Sequence, residues 1–340
     1  MISKQSRNRV AILVLVSCTT VMSGAELDSA LTDLVAQRYD AAGSRLVSRL
    51  NRNPGDVDAL YLLLATKQTR ILDYESYAFE GDRFVSLADS VADVFRRSLP
   101  RRRGADSVRC LFYLGNTYGG ISLILGKKGN LLSAARKALT SVAMLSRVQE
   151  LNPSMWEAYL GTGIFKYYLS ETLGWLPGTG ARAAEGIREV RIATRAPFPY
   201  NLAARNSLCW ILIEREHYGM ADSVARTVLS THPRNTIFLR IRAHVALKQG
   251  KLQRAEALAR NLVDISGSRL PVNWCDLLSG YHVLLRCLDT KNVDSDRIVE
   301  LCDRAESLKI PEKYRLISHV QDHLAYIRAL RLRHSDSRIP

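Results

Sequence analysis

Small and apolar residues recur in residues 201–267 with a pattern that repeats after 34 positions. Each copy contains a short turn, at Glu216-His217 and at Gln249-Gly250-Lys251, between two stretches of helical character. Two helices that approach closely need small side chains where they touch. Five positions of the first copy supply this pattern and recur in the second: Cys209, Tyr218, Ala221, Ala225 and Val228 are matched by Ala243, Leu252, Ala255, Ala259 and Leu262.

A fixed period of 34 residues is the signature of the tetratricopeptide repeat, a helix-turn-helix unit that stacks on its neighbours. Pro233 and, 34 residues earlier, Pro199 stand where the second helix of a unit ends, because proline cannot continue a helix. The pattern predicts an all-α chain, an α–α superhelix (a tetratricopeptide-repeat-like solenoid) of about 14 helices. It favours a binding surface over catalysis.

Helical pairs continue on both sides of the regular repeats, and the chain divides by sequence character into five segments. Asn53-Pro54 and Asn152-Pro153 end helices in the same way, and Pro100 with Gly104 breaks another. The predicted segments are an export signal at 1–25, N-terminal helical pairs at 26–103, glycine- and tyrosine-rich helices at 104–200, two regular repeats at 201–269, and capping helices with a basic tail at 270–340.

Glycine and tyrosine are concentrated at 112–120 and 156–168, inside predicted helices. Each glycine in a helix costs about 1 kcal/mol relative to alanine, so close helix packing or a ligand must offset that cost. Both interpretations stay open from the sequence: tight helix crossings with tyrosine in the core, or a groove for a peptide or a glycan. The candidate binding residues are Tyr113, Gly115, Tyr118, Gly119, Trp156, Tyr159, Gly161, Gly163, Tyr167 and Tyr168.

These motifs carry a family resemblance. The runs at 112–119 and 157–168, followed by Gly-Ala-Arg-Ala-Ala-Glu-Gly-Ile-Arg-Glu-Val at 180–190, resemble an exported bacterial family of tetratricopeptide repeat proteins. That family is distantly similar to the eukaryotic tetratricopeptide repeat protein 39 group. The resemblance covers residues 27–265 and implies an α–α superhelix and an exported adaptor, with no known reaction. The family usually has aspartate where Ala181 stands, which puts any role of that carboxylate in doubt.

The N-terminus has the features of an export signal: three cations precede the unbroken apolar run Val10–Val16. Two processing sites are open. Ser23-Gly24-Ala25 predicts release of a chain that begins at Glu26, and Leu15-Val16-Ser17-Cys18 resembles a lipobox in which Cys18 becomes lipidated. We expect an exported protein, periplasmic or in the cell envelope. The five later cysteines are odd in number and scattered, which indicates buried free thiols rather than disulfides.

The formal charge of +15 falls to +12 once Lys4, Arg7 and Arg9 leave with the signal. This excess favours anionic surfaces. Arginines cluster at 96–103 and 328–338, either as solvated basic segments or as a contact with an anionic membrane surface. Nucleic acid is not an expected partner, because the protein is exported and the clusters lack interleaved aromatic residues.

No motif in the sequence supports catalysis, a metal or a cofactor. His319 and His323 have the spacing of a helical metal pair, but Val320 replaces the glutamate of the zinc-protease motif and no third ligand follows. We therefore expect this pair on a solvated helix face. Gly161-Thr162-Gly163 lacks the third glycine of a dinucleotide fingerprint.

Two functional hypotheses follow from the sequence. The first is a non-enzymatic, exported scaffold or adaptor that binds a protein or peptide partner at the bacterial cell envelope. The alternative is a glycan- or lipid-handling envelope protein that uses the glycine- and tyrosine-rich helices as a pocket. The sequence leaves the partner and the oligomeric state open.

Overall fold

A computed structural model describes residues 25–172, 178–197, 200–291 and 294–336. The predicted export signal and Cys18 lie outside the described residues, apart from Ala25, which begins the first helix. Pro199, Arg338 and most of the loop before Gly180 also lie outside them.

The described chain is all-α, as predicted, and its described residues contain no strand. Sixteen α-helices are described, two more than the expected number of about 14. Their bounds are α1 Ala25–Val35, α2 Tyr39–Arg52, α3 Val57–Asp73, α4 Tyr77–Ser98, α5 Gly104–Lys127, α6 Leu131–Leu151, α7 Ala158–Thr172, α8 Thr179–Ala193, α9 Asn201–Glu214, α10 Tyr218–Leu229, α11 Thr236–Lys248, α12 Leu252–Ser268, α13 Trp274–Thr290, α14 Ser295–Glu306, α15 Glu312–Arg315 and α16 Ser318–Asp336.

The chain forms two compact units. The first runs to Leu72 and from Phe79 to Ile211, and the second comprises Asp73–Ala78 and the chain from Leu212 onward. These borders differ from the divisions by sequence character after residues 103, 200 and 269, which stay a prediction.

The first unit is built from helical hairpins stacked in tandem. The pairs α1/α2, α5/α6 and α7/α8 pack together, α6 also packs on α7, and α5 reaches past α6 to contact α7. The tight turn between α5 and α6 is possible because Gly129 adopts a left-handed conformation, with φ of +83°. Contact of each helix with its neighbour and with the next but one is the arrangement of an α–α solenoid.

In the second unit, α11, α12 and α13 follow the same arrangement. Helices α10 and α12 begin 34 residues apart, and Gly250 ends α11 with φ of +69°, as the turn prediction requires. Ala243, Ala255 and Ala259 are fully buried in a cluster with residues of α13. The small residues of the repeat are therefore the helix contacts that the sequence predicted.

The stack continues beyond the regular repeats with a different small residue. A Cβ atom on Gly280 of α13 would lie 2.6 Å from a methyl group of Val263 and 3.2 Å from the carbonyl oxygen of Ala259 on α12. The five described cysteines are buried and free, which confirms the prediction of unpaired thiols. Burial raises the pKa of Cys287 to about 11 and that of Cys302 to about 12, so both stay protonated at neutral pH.

A buried ionic cluster ties the segment Asp73–Ala78 into the second unit. The carboxylate of Asp73 accepts hydrogen bonds from Arg269 at 3.2 Å and from Asn273 at 3.2 Å. Arg240 lies 3.1 Å from Asp276 and 3.6 Å from Glu75. Because charges lose their hydration on burial, such a cluster is stable only when every charge is paired.

Asp276 is the carboxylate of this cluster whose pKa is most clearly displaced. It is fully buried at the start of α13, where Asn273 caps the helix by accepting a hydrogen bond from the Asp276 backbone N–H at 3.1 Å. Burial raises its pKa from 3.8 to about 6, although Arg240 opposes the shift. The folded state therefore takes up a proton at a higher pH than the unfolded state does.

This shift predicts that mild acid stabilises the second unit. The contribution of Asp276 is fully present below about pH 4 and is lost as the pH rises through about 6. Between about pH 7 and pH 5 we expect the free energy of unfolding to gain about 1 kcal/mol from this group. Urea denaturation at the two pH values should show this gain in the unmodified chain and not in Asp276→Asn. Asp264→Asn, at an exposed position of α12, is the control; an equal gain in Asp276→Asn would assign the effect to another carboxylate.

Candidate functional site

The ten predicted site residues separate into three groups in the first unit. Gly119, Gly161 and Tyr168 line a pocket. Trp156 and Tyr159 lie at the turn that begins α7. The other five are helix-packing or core residues: Tyr113, Gly115, Tyr118, Gly163 and Tyr167.

Tyr113 belongs to an aromatic core rather than to a groove. It is fully buried, its ring stacks on that of Tyr61 with 4.0 Å between the centroids, and its hydroxyl donates to Asp58 Oδ1 at 2.7 Å. Phe95 and Phe112 pack around it, with ring centroids about 6 Å away. Both the ring and the hydroxyl group of Tyr113 therefore have their partners within the protein.

Tyr118 and Tyr167 are also buried. The Tyr118 hydroxyl is hydrogen-bonded by Arg96, and Lys137 lies over its ring at 5.0 Å from the centroid. Tyr167 is fully buried and packs edge-on against Tyr168, with 4.9 Å between centroids. Of these tyrosines, only Tyr168 reaches the pocket.

Three of the glycines let α5 and α7 approach α6 closely. A Cβ atom on Gly115 would lie 3.0 Å from Leu145, and one on Gly119 would lie 3.0 Å from the Ser141 hydroxyl. Gly161 of α7 faces the same Leu145 side chain of α6. Close packing therefore accounts for these helix-weakening residues, which was one of the two interpretations left open by the sequence.

Gly163 forms the closest crossing, against Gly186 of α8. A Cβ atom on Gly163 would lie 2.8 Å from the Gly186 carbonyl oxygen, and one on Gly186 would lie 2.6 Å from that of Gly163. A charged network flanks the crossing: Thr162 donates to Glu189 at 2.6 Å, and Lys166 lies 2.6 Å from Glu185 and 2.5 Å from Glu189. Backbone contacts on both sides leave no room for a side chain.

The turn before α7 holds Trp156, and the first turn of α7 holds Tyr159. Trp156 is 39% exposed, and the Tyr159 hydroxyl donates to the Pro153 carbonyl at 3.3 Å. Between them, both carboxylate oxygens of Glu157 are buried without a hydrogen-bond partner, and burial raises the pKa of this group. The protonated acid is the form that such an environment favours.

A pocket of about 450 Å³ lies where α5, α6 and α7 meet. Small residues on α6 leave this space between the helices, and the pocket is open to solvent at the exposed Ala135. The residues that shape it are Gly119, Ser122 and Leu123 of α5, Ala135, Ala138 and Val142 of α6, and Gly161, Ile164, Phe165 and Tyr168 of α7. The sequence did not predict the α6 residues, because an alanine-rich helix face has the same sequence pattern whether it packs against another helix or lines a pocket.

The lining of the pocket is mainly apolar. Its hydroxyl groups include that of Ser122, which already donates to the Ala134 carbonyl at 2.7 Å. Lys127 is the basic residue in its lining. Among the described residues that line it there is no carboxylate, histidine or cysteine.

A second, larger depression of about 800 Å³ lies between α2, α3 and α4. Its walls are mixed in character, with Val47 and Phe84 beside charged side chains. Arg70 crosses it and lies 2.5 Å from Glu80 and 3.6 Å from Asp40. Three of the five charged residues in its lining are held in these ion pairs, and its walls are less apolar than those of the first pocket, so the depression offers a weaker case for a binding site.

The two histidines of α16 are half-buried, so the expectation of a solvated face is wrong. His319 is hydrogen-bonded to the buried Glu75, and the His323 ring lies 5.0 Å from that of His282. Neither contact can be found from spacing along one helix, because both partners come from distant parts of the sequence. In the described part of the chain, no cluster of acidic, histidine or cysteine side chains has the arrangement of a metal site.

The described residues of the basic clusters are largely exposed and partly neutralised. Arg96 pairs with Asp93 at 2.5 Å, and Arg328 lies 3.4 Å from Glu306. Arg103 folds back to donate to the Pro100 carbonyl at 2.8 Å. None of the described helices is long and apolar enough to cross a bilayer. Contact of these clusters with an anionic membrane stays a prediction.

Comparison with known proteins finds similarity to solved structures. No family model matches the chain, and no curated protein matches it. The fold is similar to the crystal structure of a tetratricopeptide repeat protein from Parabacteroides merdae ATCC 43184, with 12% identity, a TM-score of 0.42, and coverage of 89% of this chain and 97% of that one. The resemblance to an exported family and to the tetratricopeptide repeat protein 39 group stays a prediction.

The crossing of α7 and α8 yields a prediction about Gly163. Gly163→Ala and Gly186→Ala should each lower the free energy of unfolding by about 1–3 kcal/mol, because the added methyl group meets backbone atoms that cannot move aside. Gly43→Ala in α2 is the matched control: its Cβ atom meets nothing within 4 Å, so it should gain up to about 1 kcal/mol from helix propensity. Chemical denaturation measures all three. A neutral or stabilising Gly163→Ala would contradict the close crossing.

Proposed function

We propose that this protein is a non-enzymatic, exported scaffold or adaptor of the bacterial cell envelope, and that the α5–α6–α7 pocket receives apolar side chains of a protein partner. The observation that carries the proposal is the apolar pocket, set in a tandem stack of helical hairpins. Repeat stacks of this kind expose long surfaces without needing a catalytic centre. A peptide or helix in a groove is held by a few apolar anchors.

The lining of the pocket favours apolar side chains over a sugar. Val142, Ile164 and Phe165 offer no hydrogen bonds, and the Ser122 hydroxyl is already engaged. A glycan would find few hydrogen-bond partners on this apolar wall, and each of its hydroxyl groups that loses hydration without a partner costs free energy. The volume of about 450 Å³ suits several aliphatic or aromatic side chains.

Export is supported by the cationic and apolar N-terminal segment rather than by the fold. We expect the isolated protein to begin at Glu26 or at a lipidated Cys18, and intact-mass analysis of the chain from its own bacterium distinguishes the two. Either start supports export. A chain that retains Met1 and the apolar run would contradict it.

Filling the pocket tests the proposed binding site. Ala138→Phe places a ring inside the pocket, whereas Ala143→Phe adds the same ring on an exposed position of α6 outside it. A photo-crosslinking residue at Phe165 should capture a defined protein partner in the native envelope. We expect Ala138→Phe to abolish this adduct and Ala143→Phe to preserve it.

Three results would count against the proposal. The first is a Phe165 crosslink that is equal in both variants, and the second is the absence of a protein adduct. The third is an adduct that consists of glycan or lipid, which would favour the alternative function. Equal thermal stability of the two variants is required before their crosslinks are compared.

A further inference from the structure

The segment Asp73–Ala78, which we call the strap, is a connection between helices that is nonetheless buried. Its first four residues are at most 8% exposed, whereas connecting segments usually run over the surface. Its polar groups find partners elsewhere in the second unit. The Tyr74 hydroxyl donates to the Pro271 carbonyl at 3.0 Å, and the Asn273 amide donates to the Asp73 carbonyl at 3.1 Å. The strap is therefore held by residues that lie about 200 positions later in the sequence.

The backbone of the strap is strained at Glu75. Its φ is +52°, in the left-handed region that residues other than glycine, asparagine and aspartate rarely adopt. Such a conformation persists only where the surroundings hold it. The Glu75 carboxylate lies 3.6 Å from Arg240 of α11 and is hydrogen-bonded to His319 of α16. The docked strap thus depends on its side-chain partners rather than on the preference of its own backbone.

Two buried carboxylates come together where the strap contacts α13. The side-chain amide of Asn273 donates to Asp73 Oδ1 at 3.2 Å and to Asp276 Oδ2 at 3.1 Å, so a single nitrogen atom lies between the two acids. Neither carboxylate side chain is exposed to solvent. Two ionised carboxylates so close together repel each other, and one of them then keeps its proton to a higher pH. Burial, with the charge of Asp73 adding to it, raises the pKa of Asp276 to about 6.

The other charged and titratable groups of this cluster come from the strap, from α11, from the connection before α13 and from α13 itself. They are Asp73, Glu75 and Tyr77, then Arg240, Arg269 and Cys275. The arginines stay charged, and burial raises the pKa values of Cys275 and Tyr77, so both stay protonated. His319 contacts Glu75 from α16. Because a histidine changes its charge between about pH 5 and pH 8, its part needs a variant of its own.

We propose that protonation controls the docking of the strap, which is held most firmly when Asp276 carries a proton and is loosened when Asp276 and Asp73 are both charged. A proton on Asp276 removes the repulsion across Asn273, and the strained backbone then keeps its full set of partners. The response is a local release of the strap and not unfolding of the whole unit. It does not rest on the α5–α6–α7 pocket.

The sign and size of the effect follow from the two states of Asp276. Its pKa is about 6 in the docked state, and we expect it to return to the ordinary 3.8 on release. The contribution is then fully present below about pH 4 and is lost as the pH rises through about 6. From pH 8 to pH 5, the ratio of docked to released strap should rise about tenfold.

Cys275 reports on the strap without any added label. It is 2% exposed, and its thiol donates to the Tyr74 carbonyl at 3.5 Å, so release of the strap uncovers it. Cys287, on the same helix and fully buried, reports on opening of the whole unit. The probe is dithiodipyridine, which reacts with thiols in mild acid as well as at neutral pH. Peptide mass mapping gives the protection of each thiol, as its labelling rate relative to the unfolded chain at the same pH.

We expect Cys275 to be less protected than Cys287 at every pH, and its protection to fall about tenfold from pH 5 to pH 8. Asp276→Asn should remove this pH dependence, because the amide carries no charge at either pH. Asp264→Asn, at an exposed position of α12, is the matched control and should keep it. His319→Gln should also keep it, which separates the pair of acids from the histidine.

A variant of the strap itself keeps the test decisive if Asp276→Asn does not fold. Tyr74→Phe loses the hydrogen bond to the Pro271 carbonyl, so it should lower the protection of Cys275 at every pH and leave the pH dependence intact. Four results would overturn the proposal. They are equal protection of Cys275 and Cys287, a protection of Cys275 that does not change with pH, an unchanged pH dependence in Asp276→Asn, and a lost one in His319→Gln.

Discussion

The structure depends on how closely its helices can approach one another. At the crossing of Gly163 and Gly186 the backbones touch, and neither position can hold even a methyl group. Gly115, Gly119 and Gly161 bring two helices onto one face of α6 in the same way, and the buried alanines of α11 and α12 do so in the second unit. These residues weaken the isolated helices, so the packing that they permit must supply the stability that they remove.

The same constraint creates the candidate site. Where α6 presents Ala135 and Ala138 to α5 and α7, small side chains meet without filling the space, and an apolar pocket is left beside a well-packed core. The tyrosines next to it are mostly committed to that core, and Tyr113 has no surface left for a ligand. The binding that we propose therefore uses the aliphatic and aromatic wall formed by Ile164, Phe165 and Tyr168.

Charged residues have different roles in the buried cluster and at the protein surface. In the second unit, buried carboxylates and arginines hold the segment Asp73–Ala78, and each charge there needs a partner. The pKa of Asp276 in this cluster is raised to about 6. At the surface of the first unit, by contrast, Lys128 contacts Asp82 and Lys137 lies 2.6 Å from Asp89. The first arrangement is buried and holds a segment in place, whereas the second lies at the surface and is partly exposed to solvent.

The sequence by itself determined the helical class, the register of the two regular repeats, the turn at Gly250 and the unpaired cysteines, because each depends on spacing or composition over a few tens of residues. It also located the glycine- and tyrosine-rich helices, but it could not separate packing glycines from pocket glycines. Tertiary structure decided that Gly163 faces Gly186, that Tyr113 stacks on Tyr61, and that His319 contacts Glu75. Each of these pairs joins residues far apart in the sequence or on different helices, and no local period records which helix faces will meet.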